Sequence, residues 1–266
     1  VLHTSIKVIK ECWHSRHRLA AISVYNLSFQ YNQTKLKLLW TLLNPILQSM
    51  TYWLAFHVGM RSDSPIDGIS YLCWMLTGLV PWFFLSNVMM GGLNSIISSS
   101  GIIKNMKFPI STIPISTVLT EFLAHLCFLA VLIIIHVLSG VKYEISIIYL
   151  PYFMLCEFML MLGYTFLMSS LTVFFRDLQR IISAAVKLLF FLTPVCWNAA
   201  GTPMESVQKW NPLAYIIEGF RRSMLYDDVR CFEPWEHLYF WGLTILLMIF
   251  GIRIHSKLKP VFVDFL

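Results

Sequence analysis

Three ionisable residues stand inside apolar runs and are the first candidates for chemistry. Glu121 and His125 are four apart, so on a helix they share a face and could exchange a proton or a hydrogen bond. Glu157 lies well inside a later run. Charge at membrane depth is expensive and usually faces a cavity or a partner. The plainer reading is that these groups cross-link helices or stay neutral, because a proton relay would need more carboxylates. A membrane-embedded glycosyl- or acyltransferase is the competing class, although such enzymes gather their acidic or His residues at an interface, whereas these sit apart in the spans. No GxxxxGKS/T loop, no GxGxxG after a strand and no HExxH is present, so no residue pattern supports nucleotide hydrolysis or metal catalysis. An ATP-driven role would require a second polypeptide.

Polar stripes carry more information than single charges. Thr41, Asn44, Gln48 and Thr51 recur at spacings of three and four, as do Asn87, Gly91, Asn94 and Ser98. Each stripe must face protein or water; helix packing and a neutral, hydroxyl-friendly path both explain it. Tyr52, Trp53, Trp74, Phe83 and Phe84 could stack on sugar rings in such a path, or belong to the interfacial belt. Arg221 and Arg222 could meet phosphates, or form a solvated helix face.

The elements that position these residues follow from composition. The chain has 266 residues, 57% hydrophobic and 13% charged, with a mean hydropathy of +0.67. Several runs exceed the roughly 18 residues that a helix needs to cross about 30 Å of hydrocarbon, and no alternating ten-residue pattern suggests a barrel. The fold class is therefore all-α membrane protein. Residues 1–37 form an amphipathic interface segment, with Leu2, Ile6, Ile9 and Trp13 on one side. Six spans are expected at about 38–60, 70–92, 113–138, 147–175, 181–197 and 236–254, within a membrane domain of 38–254. Residues 255–266 are read as a cytoplasmic tail. Thr202-Pro203-Met204-Glu205 and Asn211-Pro212 read as starts of two short external helices between the fifth and sixth spans.

Of the 20 Lys and Arg residues, all but Arg61, Lys142, Lys209, Arg221, Arg222 and Arg230 fall on one side when segments alternate. That side is cytoplasmic by the positive-inside rule, with both termini. The net charge of +6 reflects this anchoring and not nucleic-acid binding. The 6 cysteines are scattered with no CxxC and read as small buried hydrophobes. Lys7, Lys10, Arg16 and Arg18 interrupt the first apolar stretch, which does not read as a signal peptide.

The order of landmarks resembles a known family. Phe174-Phe175-Arg176-Asp177-Leu178 closes the fourth span, Thr193-Pro194-Val195 ends the fifth, and Trp210-Asn211-Pro212-Leu213 follows with Arg221 downstream. Over nearly the whole chain this is similar to the permease subunit of bacterial ABC-2 type exporters, in the polysaccharide and teichoic-acid branch. Within it, wall-teichoic-acid exporters look closest, with O-antigen and capsule permeases as near alternatives.

The resemblance implies a homodimer with two copies of a separate cytoplasmic ATPase, which holds the ATP and Mg2+; this chain binds no cofactor or metal. It implies a polyprenyl-diphosphate-linked polymer as cargo, no nucleic acid, and a place in the bacterial cytoplasmic membrane. The matching ATPase-coupling loop is Leu93–Pro109, with Leu93, Asn94, Lys104, Asn105, Lys107 and Phe108 as contacts, and Arg176 and Asp177 as a second contact. Thr41, Asn44, Gln48, Tyr52, Trp53, Phe83, Phe84 and Asn87 are the expected substrate path.

Overall fold

The computed structural model describes residues 22–24, 26, 39–60, 66, 68–105, 109–226 and 232–266. The expected interface segment 1–37 lies almost entirely outside the described residues, as do Lys107 and Phe108. Among the described residues the chain is helical and forms no strand beyond the single bridge Ile66–Ile69.

The helices are α1 Leu39–Met60, α2 Tyr71–Ser98, α3 Ser100–Asn105, α4 Thr112–Leu138, α5 Leu150–Thr172, α6 Leu178–Leu192, α7 Glu205–Gln208, α8 Pro212–Met224, α9 Pro234–Leu258 and α10 Phe262–Phe265. Short 3-10 turns at Ile145–Tyr149 and Lys259–Val261 precede α5 and α10.

By length and composition four of these segments can cross a membrane: Tyr71–Ser98, Thr112–Leu138, Ile145–Thr172 and Pro234–Phe265. Two of the six expected spans, α1 and α6, fall outside this set, for two physical reasons. α1 has 22 residues, about 33 Å at 1.5 Å per residue, but Asn44, Gln48 and Thr51 dilute its apolar character. α6 has 15 residues, about 22 Å and short of a hydrocarbon core. It ends at Thr193 and not at 197, because Pro194 has no N–H with which to continue the ladder. Other boundaries move both ways: α2 runs on to Ser98 and α9 to Leu258, into the residues read as a tail, whereas α5 is shorter than expected at Leu150–Thr172.

α2 is the centre of the bundle, packing against α4, α5, α6 and α8. Every residue from Thr77 to Leu85 is buried, Pro81 among them. An interior proline is tolerated at this depth because neighbouring helices surround the freed backbone. Several hydroxyls in the spans bond back to their own helix: Thr77 donates to Cys73 O at 2.7 Å, Thr165 to Met161 O at 2.7 Å and Ser170 to Phe166 O at 2.8 Å.

α5 and α9 approach backbone to backbone, since a Cβ on Gly251 would stand 2.7 Å from the Gly163 carbonyl oxygen. Small residues at a helix contact permit this approach. Ser170 and the Nδ1 of His255 add a 3.0 Å hydrogen bond across the same pair.

The two ends of the bundle differ. At one end α2, α3, α4 and α5 meet the C-terminal residues in a cluster of Ile96, Ile103, Ile113, Val173 and Phe262. At the opposite end the turn after α6 and helix α8 are inserted among α2, α5 and the Ile145–Tyr149 turn.

Candidate transport path and coupling surface

The α3 end gathers most of the residues expected to meet an ATPase. Lys104 and Asn105 belong to α3, while Arg176 and Asp177 are exposed in the turn between α5 and α6. Leu93 departs from the expectation: it continues α2 and is fully buried, so it offers nothing to a partner. Asn94 is half-buried, and its Oδ1 accepts a short hydrogen bond from Gln179 Nε2 of α6.

The residues read as a cytoplasmic tail are folded into this end. Phe262 is fully buried, Phe174 packs at a tilt against Phe262 and Phe265 with centroids 6.2 and 4.7 Å apart, and Lys259 Nζ donates to Ser111 Oγ at 3.0 Å. The tail pattern is too short and mixed to reveal this, since Phe262 is enclosed while Val263 and Phe265 are exposed.

The expected substrate path divides. Thr41 lies on α1; Asn44, Gln48 and Thr51 are exposed along one stripe of that helix, and Asn87 is exposed on α2. Gln48 Nε2 donates to the Tyr52 hydroxyl at 3.2 Å, and the Tyr52 ring stacks on Phe190 of α6 at 4.7 Å. Asn87 and Asn94, seven apart, share the side of α2 that Gln179 of α6 meets. These residues therefore border one open face formed by α1, α2 and α6. Ile181, Leu188 and Phe191 leave the outer side of α6 uncovered as well.

Phe83 and Phe84 do not line that face. Both are buried, meeting Phe128 and Phe122 edge to face at 6.4 and 5.8 Å. Trp53 borders an apolar cavity between α1, α2 and α4. Their aromatic character serves packing between helices, which sequence spacing cannot separate from ring stacking on a ligand.

His125 and Glu157, apart in sequence, are brought together. His125 Nε2 lies 3.0 Å from Glu157 Oε1, and both side chains are fully buried. Phe84, Phe122 and Phe220 surround the imidazole with centroids 5.4, 6.0 and 5.8 Å away. The pair joins α4 to α5 inside a buried cage of aromatic rings, which suits a helix cross-link better than a catalytic site. Glu121 is half-buried on the same helix.

The residue that sequence reasoning misplaced is Arg221. α8 starts as expected, with Asn211 Oδ1 accepting from Leu213 N at 3.0 Å and Pro212 in the first turn. Its apolar side, Leu213, Ile216, Ile217, Phe220 and Met224, is buried in the bundle and not laid on an outer surface.

Arg221 is 1% exposed and holds the turn after α6. Its Nη1 donates to Pro194 O at 2.7 Å, its Nη2 to Val195 O at 2.5 Å, and its guanidinium carbon sits 3.4 Å from the Trp74 ring centroid. Tyr71 closes the set by donating to Cys196 O at 2.8 Å. Three successive carbonyls that no helix satisfies thus find donors. Gly78 makes room, because a Cβ there would stand 2.7 Å from Val195 O.

Burial pushes the Arg221 guanidinium down from its usual value, with Glu218 at 3.8 Å opposing the shift; the group remains charged. Burial likewise pushes the Cys196 thiol up to about 12 against the pull of Arg221. Neighbouring Arg222 is the ordinary one, pairing with Glu218 at 3.1 Å and partly solvated.

The described residues thus form a helical membrane bundle with a polar open face and an inserted amphipathic helix. The ABC-2 type transporter family model matches residues 18–225, and the chain belongs to that family. It is similar to the O-antigen export system permease protein RfbA of Klebsiella pneumoniae, 31% identical over 93% of this chain and 94% of that protein. It is 27% identical to the RfbA of Myxococcus xanthus over 86% of this chain and 88% of that one. It is 24% identical to the polysialic acid transport protein KpsM of Escherichia coli over 77% and 80%.

Proposed function

We propose that this chain is the permease subunit of an ATP-driven exporter that moves a lipid-linked polysaccharide across the bacterial cytoplasmic membrane. The observation that carries the reading is the open face of α1, α2 and α6, where Asn44, Gln48, Thr51 and Asn87 are exposed on helices of a membrane bundle. Polar groups at membrane depth must meet protein or water. A second copy of the chain, facing this surface, would enclose a path lined by amides and hydroxyls, which suits a sugar polymer better than a bare ion.

The names of the relatives favour an O-antigen or capsular polymer over teichoic acid as cargo. Energy comes from two copies of a cytoplasmic ATPase carrying ATP and Mg2+, docked at the α3 end with Lys104, Asn105, Arg176 and Asp177. Both termini lie on that cytoplasmic side, in keeping with the Lys and Arg distribution. The test is co-purification: the permease with the ATPase encoded beside it is expected to give a two-plus-two complex. A chain that remains single and binds no ATPase would refute the assembly.

A further inference from the structure

Between α1, α2 and α4 lies a cavity of about 440 Å3. Its walls include Met50 and Trp53 of α1, Leu76 and Phe83 of α2, and Phe128 of α4, with Ser49 as the one hydroxyl. α2 and α4 are closely packed beneath it, whereas α1 stands off: no side chain described on α1 is fully buried. The cavity is therefore a cleft behind a loosely held helix.

The two sides of α1 are opposite in kind. At about 100° per residue, Asn44, Gln48 and Thr51 fall within one narrow arc. Ile46, Ser49, Met50 and Trp53, which line the cleft, fall on the other side of the helix. α1 thus separates the polar open face from an apolar slot.

An apolar cavity offers water no partners and stays dry; one of about 150 Å3 already takes a benzene-sized guest. This cleft is far larger, and an empty one would forfeit dispersion contacts along all its walls. The solvent around these segments is hydrocarbon. We infer that the cleft is a seat for a hydrocarbon chain of a bilayer phospholipid, held on the back of the helix that bears the polar stripe. The bound chain completes the packing of α1 and makes that helix the wall between lipid and the polar face. The inference needs only the bilayer location of these helices, and stands independently of the cargo and of the ATPase.

The test uses the purified chain alone in vesicles of phosphatidylcholine and phosphatidylglycerol, doped with a phosphatidylcholine carrying a diazirine in its acyl chain. After photolysis, labelled peptides are mapped by mass spectrometry. The expected labels fall on the Met50–Trp53 stretch and around Leu76, and drop about fivefold in Leu76→Trp and in Ser49→Phe, which fill the cleft from opposite walls. Labelling at Ile245 and Leu246, exposed on α9, stays unchanged and reports that each variant is folded and inserted. An unlabelled cleft in the wild type, beside labelled Ile245 and Leu246, overturns the inference even if a variant fails to fold. So does cleft labelling that neither substitution reduces. Loss of the cleft label as the protein-to-lipid ratio rises assigns the slot to a second copy and overturns it too.

Discussion

Arg221 lies over the ring of Trp74, its guanidinium carbon 3.4 Å from the indole ring centroid, while its Nη atoms reach the Pro194 and Val195 carbonyls. One side chain therefore ties α8 to α2 and to the turn that ends α6. A cation over an aromatic ring gains most when both are desolvated, and buried carbonyls are costly to leave without donors.

Replacing Arg221 by Ala is expected to cost about 3 kcal/mol or more, since two carbonyls lose their donors in a buried site. Arg221→Lys recovers only part, because an ammonium lacks the planar fork. Arg222→Ala, at a partly solvated pair, stays within about 0.5 kcal/mol. Thermal unfolding of the three variants in detergent ranks them.

Either single change that breaks the His125–Glu157 pair is expected to destabilise by about 3 to 5 kcal/mol, because it strands a buried polar partner. A double change to Leu at both positions recovers much of that loss. A double-mutant cycle on thermal stability checks this, and full export by the double variant would confirm that the pair is a cross-link and not a proton site.

Gly251→Ala is expected to cost about 1 to 3 kcal/mol, by pressing a methyl against the Gly163 carbonyl. Gly242, on the same helix, has open space around it. Gly242→Ala should therefore be neutral or slightly stabilising. The contrast between the two variants in folded yield isolates the close α5–α9 approach from helix propensity.

How much was legible in the sequence depends on the range of the interaction. Apolar runs mark where the long helices lie, because length and hydropathy are local quantities, but not where α2 ends, since it runs on to Ser98. The start of α8 was legible for the same reason, through Asn211 and Pro212. The depth of α8 was not: an amphipathic helix lying on a membrane and one inserted in a bundle have the same periodicity, and only the distant carbonyls of Pro194 and Val195 reveal that Arg221 points inward. The His125–Glu157 contact likewise joins two helices across 32 positions of sequence, where spacing favoured the local Glu121–His125 pair. The apolar stretch through residue 197 hid the early end of α6, since Val195 and Cys196 remain apolar after the helix has stopped.

Phe262 fixes the end of the molecule where α3 lies. Phe262→Ala is expected to empty the cluster with Ile96, Ile103 and Val173 at a cost of about 3 to 5 kcal/mol locally. Hydrogen–deuterium exchange of the 100–105 segment should rise several-fold, while exchange in α8 is unchanged. Phe262→Leu should restore most of the protection.

The central claim, a permease that moves polymer only when a separate ATPase drives it, is tested most directly by reconstitution into liposomes loaded with lipid-linked polysaccharide. ATP-dependent transfer of polymer to the opposite leaflet is expected when the chain and its partner ATPase are both present, and none from either alone. Transfer by the chain alone, or ATP hydrolysis by the chain alone, would contradict it.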